Sequence, residues 1–531
     1  MSQLRSISRL TFINGCSAVV SLGTSVAMAW LFGTSAPAQV YLAASTLLII
    51  VQKVFMVGQF SDVFLPQYVH IRETDGAAKA DRCFSALINH MVIMVLGAGA
   101  VLIWAAPTLA GLMAEGFTAA QQHQVGRLLQ GLVPALLLVV MNGHLQIVGN
   151  ARGWYGRFEF YGLLGNFIGL VSFVATAKTL GIWSMVLAQW LTQVIALAGS
   201  LNYLRRNGYR HAWITHEPGF SAWGVTGRAG LTVVYVLATQ LYSFAFTSAM
   251  TFLPGGGFSA YKYAENLYSR IGSLFMRPVS VVFLTDASVL ARRDPAQMRA
   301  RIAQALYHYG LMYLGVIGVL FPAMRNLLGG LWGSKLYPAS DIHLTTIYIL
   351  CLFGLLIVDG TGLIYRRLNI VMGDLRWQYY GLTLVQICFV FLAPAIIGKL
   401  GVDGAPVVLG LNIICFFLVA TVLMFWRRPQ YFAFFPANTW KLVVTAIGPL
   451  LAAWLLPHLW PWLKYSGNYT PLGKVVELVK AVFMASLGLG LVAGMATLLR
   501  VDEAAATWRW LRSRVEMAVG ILQGVIIKKK S

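Results

Sequence analysis

Residues 91–103 read MVIMVLGAGAVLI, and the solvent this stretch requires decides the fold. The apolar run continues into its flanks, and comparable runs occur at Ala135–Val148 and Ile347–Val358. In hydrocarbon every backbone N–H and C=O has to be paired within the protein, which leaves helices or a closed barrel. Barrel strands are about ten residues long and alternate in polarity. These runs, with their flanks, are about twenty residues long and do not alternate, the length of a helix that crosses a bilayer. The sequence therefore predicts an all-α membrane protein.

Composition agrees. Hydrophobic residues make up 58% of the 531 residues and charged residues 11%, with a mean hydropathy of +0.70. A soluble domain carries about 25% charged residues. Spans are expected near 9–32, 37–69, 84–107, 128–149, 158–177, 183–203, 226–252, 258–289, 303–324, 343–365, 377–397, 403–426, 439–459 and 473–498. The second and eighth exceed a straight crossing of about 30 Å. They are expected to tilt or bend, with Gly58, Pro66, Gly272 and Pro278 as bend points. The basic lead MSQLRSISRLTF shows no small-residue cleavage site and reads as part of an uncleaved first span.

The net charge of +22 would suit a nucleic-acid partner only if a soluble basic face existed to carry it, and no soluble domain is expected. The 40 Lys and Arg have another explanation. They concentrate about fourfold on alternate loops, which places both termini in the cytoplasm under the positive-inside rule. Residues 502–526 read as an amphipathic helix and end in a basic IKKKS, which suits an anionic membrane surface or a partner protein. The longest loops on the far side, 108–127 and 325–342, are too short for the catalytic loop of an enzyme acting there. Cys16, Cys83, Cys351, Cys388 and Cys415 have no metal-ligand spacing and read as small core residues. No phosphate loop, metal cluster or catalytic triad is present, so neither a cofactor nor an enzymatic activity is expected; Gly255-Gly256-Gly257 reads as a turn.

A weak repeat accompanies the even span count. Val63-Phe64-Leu65 in span two and Val282-Phe283-Leu284 in span eight lie six spans apart. Together they suggest two six-helix halves, 1–215 and 216–430, with two further helices at 431–500 and a basic tail at 501–531. A charge inside a bilayer is costly and usually faces a cavity or a partner. Lys53 lies in span two, and Lys262, Glu265, Arg270 and Arg277 lie in span eight among Tyr261, Tyr263 and Tyr268. A cleft between these spans would hold an anionic headgroup on Lys53, Lys262, Arg270 and Arg277, a phosphate or pyrophosphate being the natural ligand. Tyr261, Tyr263, Glu265, Asn266 and Tyr268 would line the cavity or meet sugar rings. The competing reading has Lys53 and Arg277 snorkelling and Lys262–Glu265 as a structural pair. Glu477 and Lys480 read as a pair one turn apart, and Asp359 reads as structural, with a helix cap or a cation ligand as the alternative.

The stretch Leu31-Phe32-Gly33, followed by Gly58-Gln59-Phe60-Ser61-Asp62-Val63-Phe64-Leu65-Pro66, resembles the MurJ/MviN flippase family, whose second helix ends in a similar GxFSxxFxP signature. Phe258 to Leu267 resembles the start of that family's helix eight. The resemblance implies a flippase of the multidrug/oligosaccharidyl-lipid/polysaccharide (MOP) exporter superfamily, with fourteen helices and both ends inside. The departures fall on the family's cavity. Its helix-one arginines align by spacing with Ala18 and Thr24, its early acidic position in helix two with Gln39, its paired arginines with Gln52-Lys53, and its helix-eight arginine with Asn266.

This reduced basic cavity points away from lipid II and toward another polyprenyl-(pyro)phosphate-linked glycan, carried across the bacterial inner membrane for exopolysaccharide or envelope polysaccharide synthesis. The alternatives are lipid II flipping for peptidoglycan and, in another class, a membrane scaffold subunit of a polysaccharide synthase. The implied partners are the lipid-linked glycan, membrane lipids, and glycosyltransferases or synthase subunits.

Overall fold

Long apolar helices with few internal breaks are what hydrocarbon demands, and the chain supplies them. The computed structural model describes residues 2–54, 57–152, 154, 156–221, 230–272, 295–372, 374–432, 439–499 and 501. Its helices are α1 (Ser2–Leu31), α2 (Ala36–Val54), α3 (Val57–Thr74), α4 (Ala77–Met113), α5 (Ala119–Ala151), α6 (Arg157–Leu180), α7 (Trp183–Arg206) and α8 (Gly230–Thr251). They continue as α9 (257–272), α10 (Pro295–Trp332), α11 (Ala339–Gly354), α12 (Leu356–Val371), α13 (Leu375–Leu400), α14 (Gly404–Arg427), α15 (Thr439–Leu459) and α16 (Pro471–Leu498). Among the described residues there is no strand, only the isolated bridges Glu217–Phe220 and Ser334–Tyr337.

Eleven stretches among the described residues are long and apolar enough to cross a bilayer, and one of them, the 52-residue Arg376–Arg427, holds both α13 and α14. Thirteen of the fourteen expected spans fall on described helices, and the eighth is described as helix only to residue 272. The chain is a multi-pass membrane protein. Its outward side chains agree, since Trp104 is 84% exposed, Trp426 79% and Phe391 74%, which water would penalise and lipid does not.

Two details differ from expectation, and others lie outside the described residues. The second span is two helices, α2 and α3, and Gly58 and Pro66 lie inside α3 and not at the interruption between them. Gly272 is the last described residue of α9, and Pro278, Asp286 and the tail from 502 lie outside the described residues. The loops at 108–127 and 325–342 shrink to short connections, because α4 runs 37 residues and α10 runs 38. At 1.5 Å per residue each is about 55 Å long and outruns the hydrocarbon.

The tenth span is also broken, at Leu355 between α11 and α12. Two tyrosines of α10 pair the carbonyls at the break. Tyr313 Oη donates to Gly354 O at 2.7 Å, and Tyr309 Oη donates to Leu356 O at 2.8 Å. Glycine is required at position 360, where a Cβ would overlap the Tyr309 ring.

The helices sort into two compact units. The first comprises Met1–Arg270, Ser334–Tyr348 and Leu375–Val419. Within it α6 packs on α7 through Gly165 and Gly169, where a Cβ would overlap Thr192, the small-xxx-small device by which membrane helices approach closely. The segment after α7 is docked on α4. Asn89 Nδ2 donates to Ala212 O at 2.9 Å and to Ile214 O at 2.8 Å, Ser85 and Tyr209 hydroxyls meet at 2.9 Å, and Arg82 pairs with Glu217 at 2.8 Å. Asp81 accepts from Tyr68 and Arg152 beside the aromatic cluster of Phe64, Phe84 and Phe220.

The second unit comprises Ile271–Gly333, Ile349–Asp374 and Ala420–Ser531. Gly318 of α10 and Gly488 of α16 are in backbone contact, leaving no room for a Cβ at Gly488. Asp374 between α12 and α13 pairs with Arg427 at 2.7 Å and Arg428 at 2.9 Å. Burial alone would raise its carboxyl; hydrogen bonds from the Arg428 and Arg427 guanidiniums outweigh this and hold it below the usual carboxylate range.

The Glu477–Lys480 pair of α16 is a buried knot. Glu477 Oε1 accepts from Lys480 Nζ at 2.8 Å, from Ser466 Oγ at 2.8 Å and from Ser466 N at 3.1 Å, while Lys480 Nζ donates to Lys464 O at 3.1 Å. Glu477 is 0% exposed and Lys480 5%. Removing one partner of such a pair strands the other and costs about 3–5 kcal/mol, whereas replacing both with apolar groups costs far less. Lys480→Met should therefore lower the thermal midpoint of the detergent-solubilised protein, and Glu477→Leu combined with Lys480→Met should recover most of the loss. A double variant less stable than either single one would show that the pair does not carry this cost.

Candidate substrate cavity

The first unit encloses a cavity of about 270 Å³. Its walls are Ser21, Thr24, Ser25 and Met28 of α1, Tyr41, Leu42, Ser45, Leu48, Ile49 and Gln52 of α2, Asn166, Gly169 and Leu170 of α6, Met185, Ala188, Gln189 and Thr192 of α7, and Tyr263, Asn266 and Arg270 of α9, with Leu132 of α5. Helix period explains the α9 contribution, because positions 263, 266 and 270 fall on one face. The same period explains α1, where 21, 24, 25 and 28 share a face.

The opposite face of α9 carries the rest of the residues singled out in the sequence. Lys262 is buried, pairs with Glu265 at 3.0 Å and lies 5.5 Å from the Tyr261 ring centroid. Tyr261 packs edge-on against Phe246 at 5.1 Å and Tyr348 at 5.9 Å. Tyr261, Lys262 and Glu265 thus form a packed polar seam beside the cavity and not its wall. Lys53 is half-buried and within electrostatic reach of Glu265, and it is Gln52, its neighbour, that faces the cavity. Tyr268 is half-buried and outside the wall, and Arg277 lies outside the described residues.

Arg270 is accordingly the one charged side chain among the described residues that line the cavity. The remaining polar groups are hydroxyls and amides. Several hydroxyls bond back to their own helix, Thr24 Oγ1 to Val20 O at 3.2 Å, Ser25 Oγ to Ser21 O at 3.3 Å and Ser45 Oγ to Leu42 O at 3.0 Å. Such bonding satisfies the proton and leaves oxygen lone pairs for a ligand. Charge does not mark these residues in the sequence. The usable signal was hydroxyls and amides at helical spacing within apolar spans, as at 21, 24 and 25 and at 45 and 52. Thr24, Gln52 and Asn266, positions where the family resemblance expects arginine, all line the cavity, whereas Ala18 and Gln39 do not.

Tyr263 of the cavity wall joins a latch of hydrogen bonds in the same unit. Tyr263 Oη donates to Gly33 O at 3.0 Å, and its ring packs on Tyr337 at 5.4 Å. Gly33 has φ of 56°, and a Cβ there would overlap the Leu336 carbonyl. Thr34 N donates to Leu336 O at 3.0 Å, Thr34 Oγ1 to Asp341 Oδ2 at 2.5 Å, and Gln39 Nε2 to Thr34 O at 3.0 Å and Gly255 O at 3.3 Å. On the outer side of the α1–α6 seam lies an apolar groove of about 770 Å³ containing Val19, Gly23, Ala27, Trp30, Val171 and Val174; Leu170 lines both the groove and the cavity.

Known proteins place this arrangement. The fold is similar to that of the lipid II flippase MurJ in an inward closed conformation, with a TM-score of 0.71 at 14% identity over 90% of this chain and 97% of that one. It is similar to an inward-facing multidrug resistance MATE family transporter of the MOP superfamily, with a TM-score of 0.60 at 14% identity over 78% of this chain and 94% of the other. A MOP superfamily transporter from Pyrococcus furiosus, described as having a binding pocket of reversed polarity, gives 0.54 at 16% identity over 80% and 95%. The family model for lipid II flippase MurJ matches residues 28–329, from the end of α1 through most of α10 and so across most of the cavity wall. The chain belongs to the lipid II flippase MurJ family.

Proposed function

We propose that this flippase moves a polyprenyl-(pyro)phosphate-linked glycan across the bacterial cytoplasmic membrane by alternating access. The observation that carries this reading is a cavity whose single charged wall residue, Arg270, sits among hydroxyls and amides. A guanidinium binds phosphate oxygens through a fork of N–H donors. Lys53 adds positive potential nearby, and the hydroxyls and amides match sugar hydroxyls. The hydrocarbon chain would remain in the membrane, reached through the α1–α6 seam where Leu170 alone is shared between cavity and apolar groove.

In this reading the latch of Gly33, Thr34 and Asp341 closes the external end, and transport requires it to break. Both termini lie in the cytoplasm, as the Lys and Arg distribution favours, and the halves 1–215 and 216–430 form the moving core, with 431–500 and the tail added to it. The tail suits recruitment of a glycosyltransferase or synthase subunit. The family model favours a second reading, lipid II itself. Rescue of a strain depleted of its lipid II flippase would select that reading over the first.

Two outcomes follow. Lys53→Gln with Arg270→Gln should abolish export of the glycan in cells. Loss of a charge-assisted contact worth about 1.5–3 kcal/mol corresponds to about 10- to 100-fold weaker headgroup binding. Unchanged export would sink the cavity model. Thr34→Val removes the hydroxyl that donates to Asp341 and should favour the externally open state. With the native cysteines replaced and a cysteine placed at position 266, an impermeant maleimide added outside should label the Thr34→Val protein faster than its parent. Equal rates would remove Thr34 from the closure.

A further inference from the structure

A second cavity, of about 330 Å³, adjoins the first in the same unit, and Gln52, Asn166 and Thr192 line both. Its polar lining includes Gln52, Asn142, Gln146, Asn166, Thr192 and Gln193, and no charged residue lines it. Its size falls in the range of small-molecule pockets, roughly 300–1,000 Å³. Resting on the transport reading above, we infer that this chamber is the sugar subsite and that it selects an uncharged glycan.

The argument starts from Asn142. Its Nδ2 donates to Gln193 Oε1 at 2.9 Å and to Gln193 O at 3.1 Å, which fixes the orientation of the amide. Its Oδ1 is then a buried acceptor with no hydrogen-bond partner among the described residues. An unpaired buried acceptor costs about 1–3 kcal/mol, so the site favours a ligand that brings a donor. A sugar hydroxyl brings one, and it also accepts. Side-chain amides carry both functions and match it in either direction. Phe158 is the aromatic residue of the lining, and a Cβ at Gly162 would meet nothing within 4 Å, which leaves the chamber open there.

Charge sets the selectivity. A carboxylate entering this chamber would lose its hydration and find no lining cation, a penalty that neutral amides offset only in part. Arg270 lines the first cavity and not the second, so the diphosphate and the sugars are sorted into different chambers. A glycan carrying uronic acids, or a headgroup carrying peptide carboxylates, is disfavoured. The same chamber therefore discriminates against lipid II.

The test measures binding to the purified full-length protein in nanodiscs, with three probes on one prenyl chain: the bare diphosphate, the diphosphate bearing a neutral oligosaccharide, and the same oligosaccharide with one hexose replaced by a uronic acid. The neutral glycan should bind about 10-fold tighter than either of the others. Asn142→Leu, and separately Gln146→Leu, should weaken the neutral glycan about 10-fold toward the bare diphosphate while leaving the bare diphosphate itself unchanged, which also reports an intact fold. Equal affinity for the neutral and acidic glycans, or a neutral glycan that binds no tighter than the bare diphosphate, overturns the sugar-chamber assignment. Failure of all three probes to bind overturns the transport reading on which it rests.

Discussion

The constraint on which everything else depends is the cost of an unpaired polar group in hydrocarbon. It makes the spans helices, and it dictates what happens wherever a helix is interrupted. At Leu355 the carbonyls on either side of the break are taken by the hydroxyls of Tyr309 and Tyr313. Beyond the end of α1 the Leu336 carbonyl is taken by Thr34 N, in a turn that only glycine at position 33 allows. Buried charges obey the same rule. Lys262 finds Glu265, Lys480 finds Glu477, and Asp374 finds two arginines.

That rule also shapes the cavity. A wall of hydroxyls bonded back to their own helices can stand empty in a membrane without stranding a proton donor. A ring of arginines facing the same space would hold permanent charge there and would suit a strongly anionic ligand. Thr24, Gln52 and Asn266 in place of such a ring keep the cavity polar at low charge. On the proposed function, a ligand rich in hydroxyls and poor in charge would suit that balance, and Arg270 would meet its phosphate.

The fold was legible in the sequence because hydropathy acts over whole spans and needs no tertiary detail. The expected spans fall on helices wherever their residues are described, and misjudged positions are local: Gly58 and Pro66 sit within α3, and the break at Leu355 falls within an apolar run. The cavity was legible only in part. Charge in a span drew notice to 262, 265 and 270, but facing direction depends on packing, and three-residue spacing decides it. Arg270, Asn266 and Tyr263 face inward together, while Tyr261 packs against α8 and α11 and Lys262 is paired with Glu265. The hydroxyl and amide wall emerged only from the assembled helices, since single serines, threonines and glutamines in membrane spans carry no signal until their common face is known.

The most direct measurement is lipid reorientation in proteoliposomes holding only this protein, with a neutral glycan on a polyprenyl diphosphate and lipid II offered together and each tagged for exposure at the outer leaflet. The account predicts protein-dependent appearance of the neutral glycan ahead of lipid II. Faster reorientation of lipid II, or of neither, would contradict it.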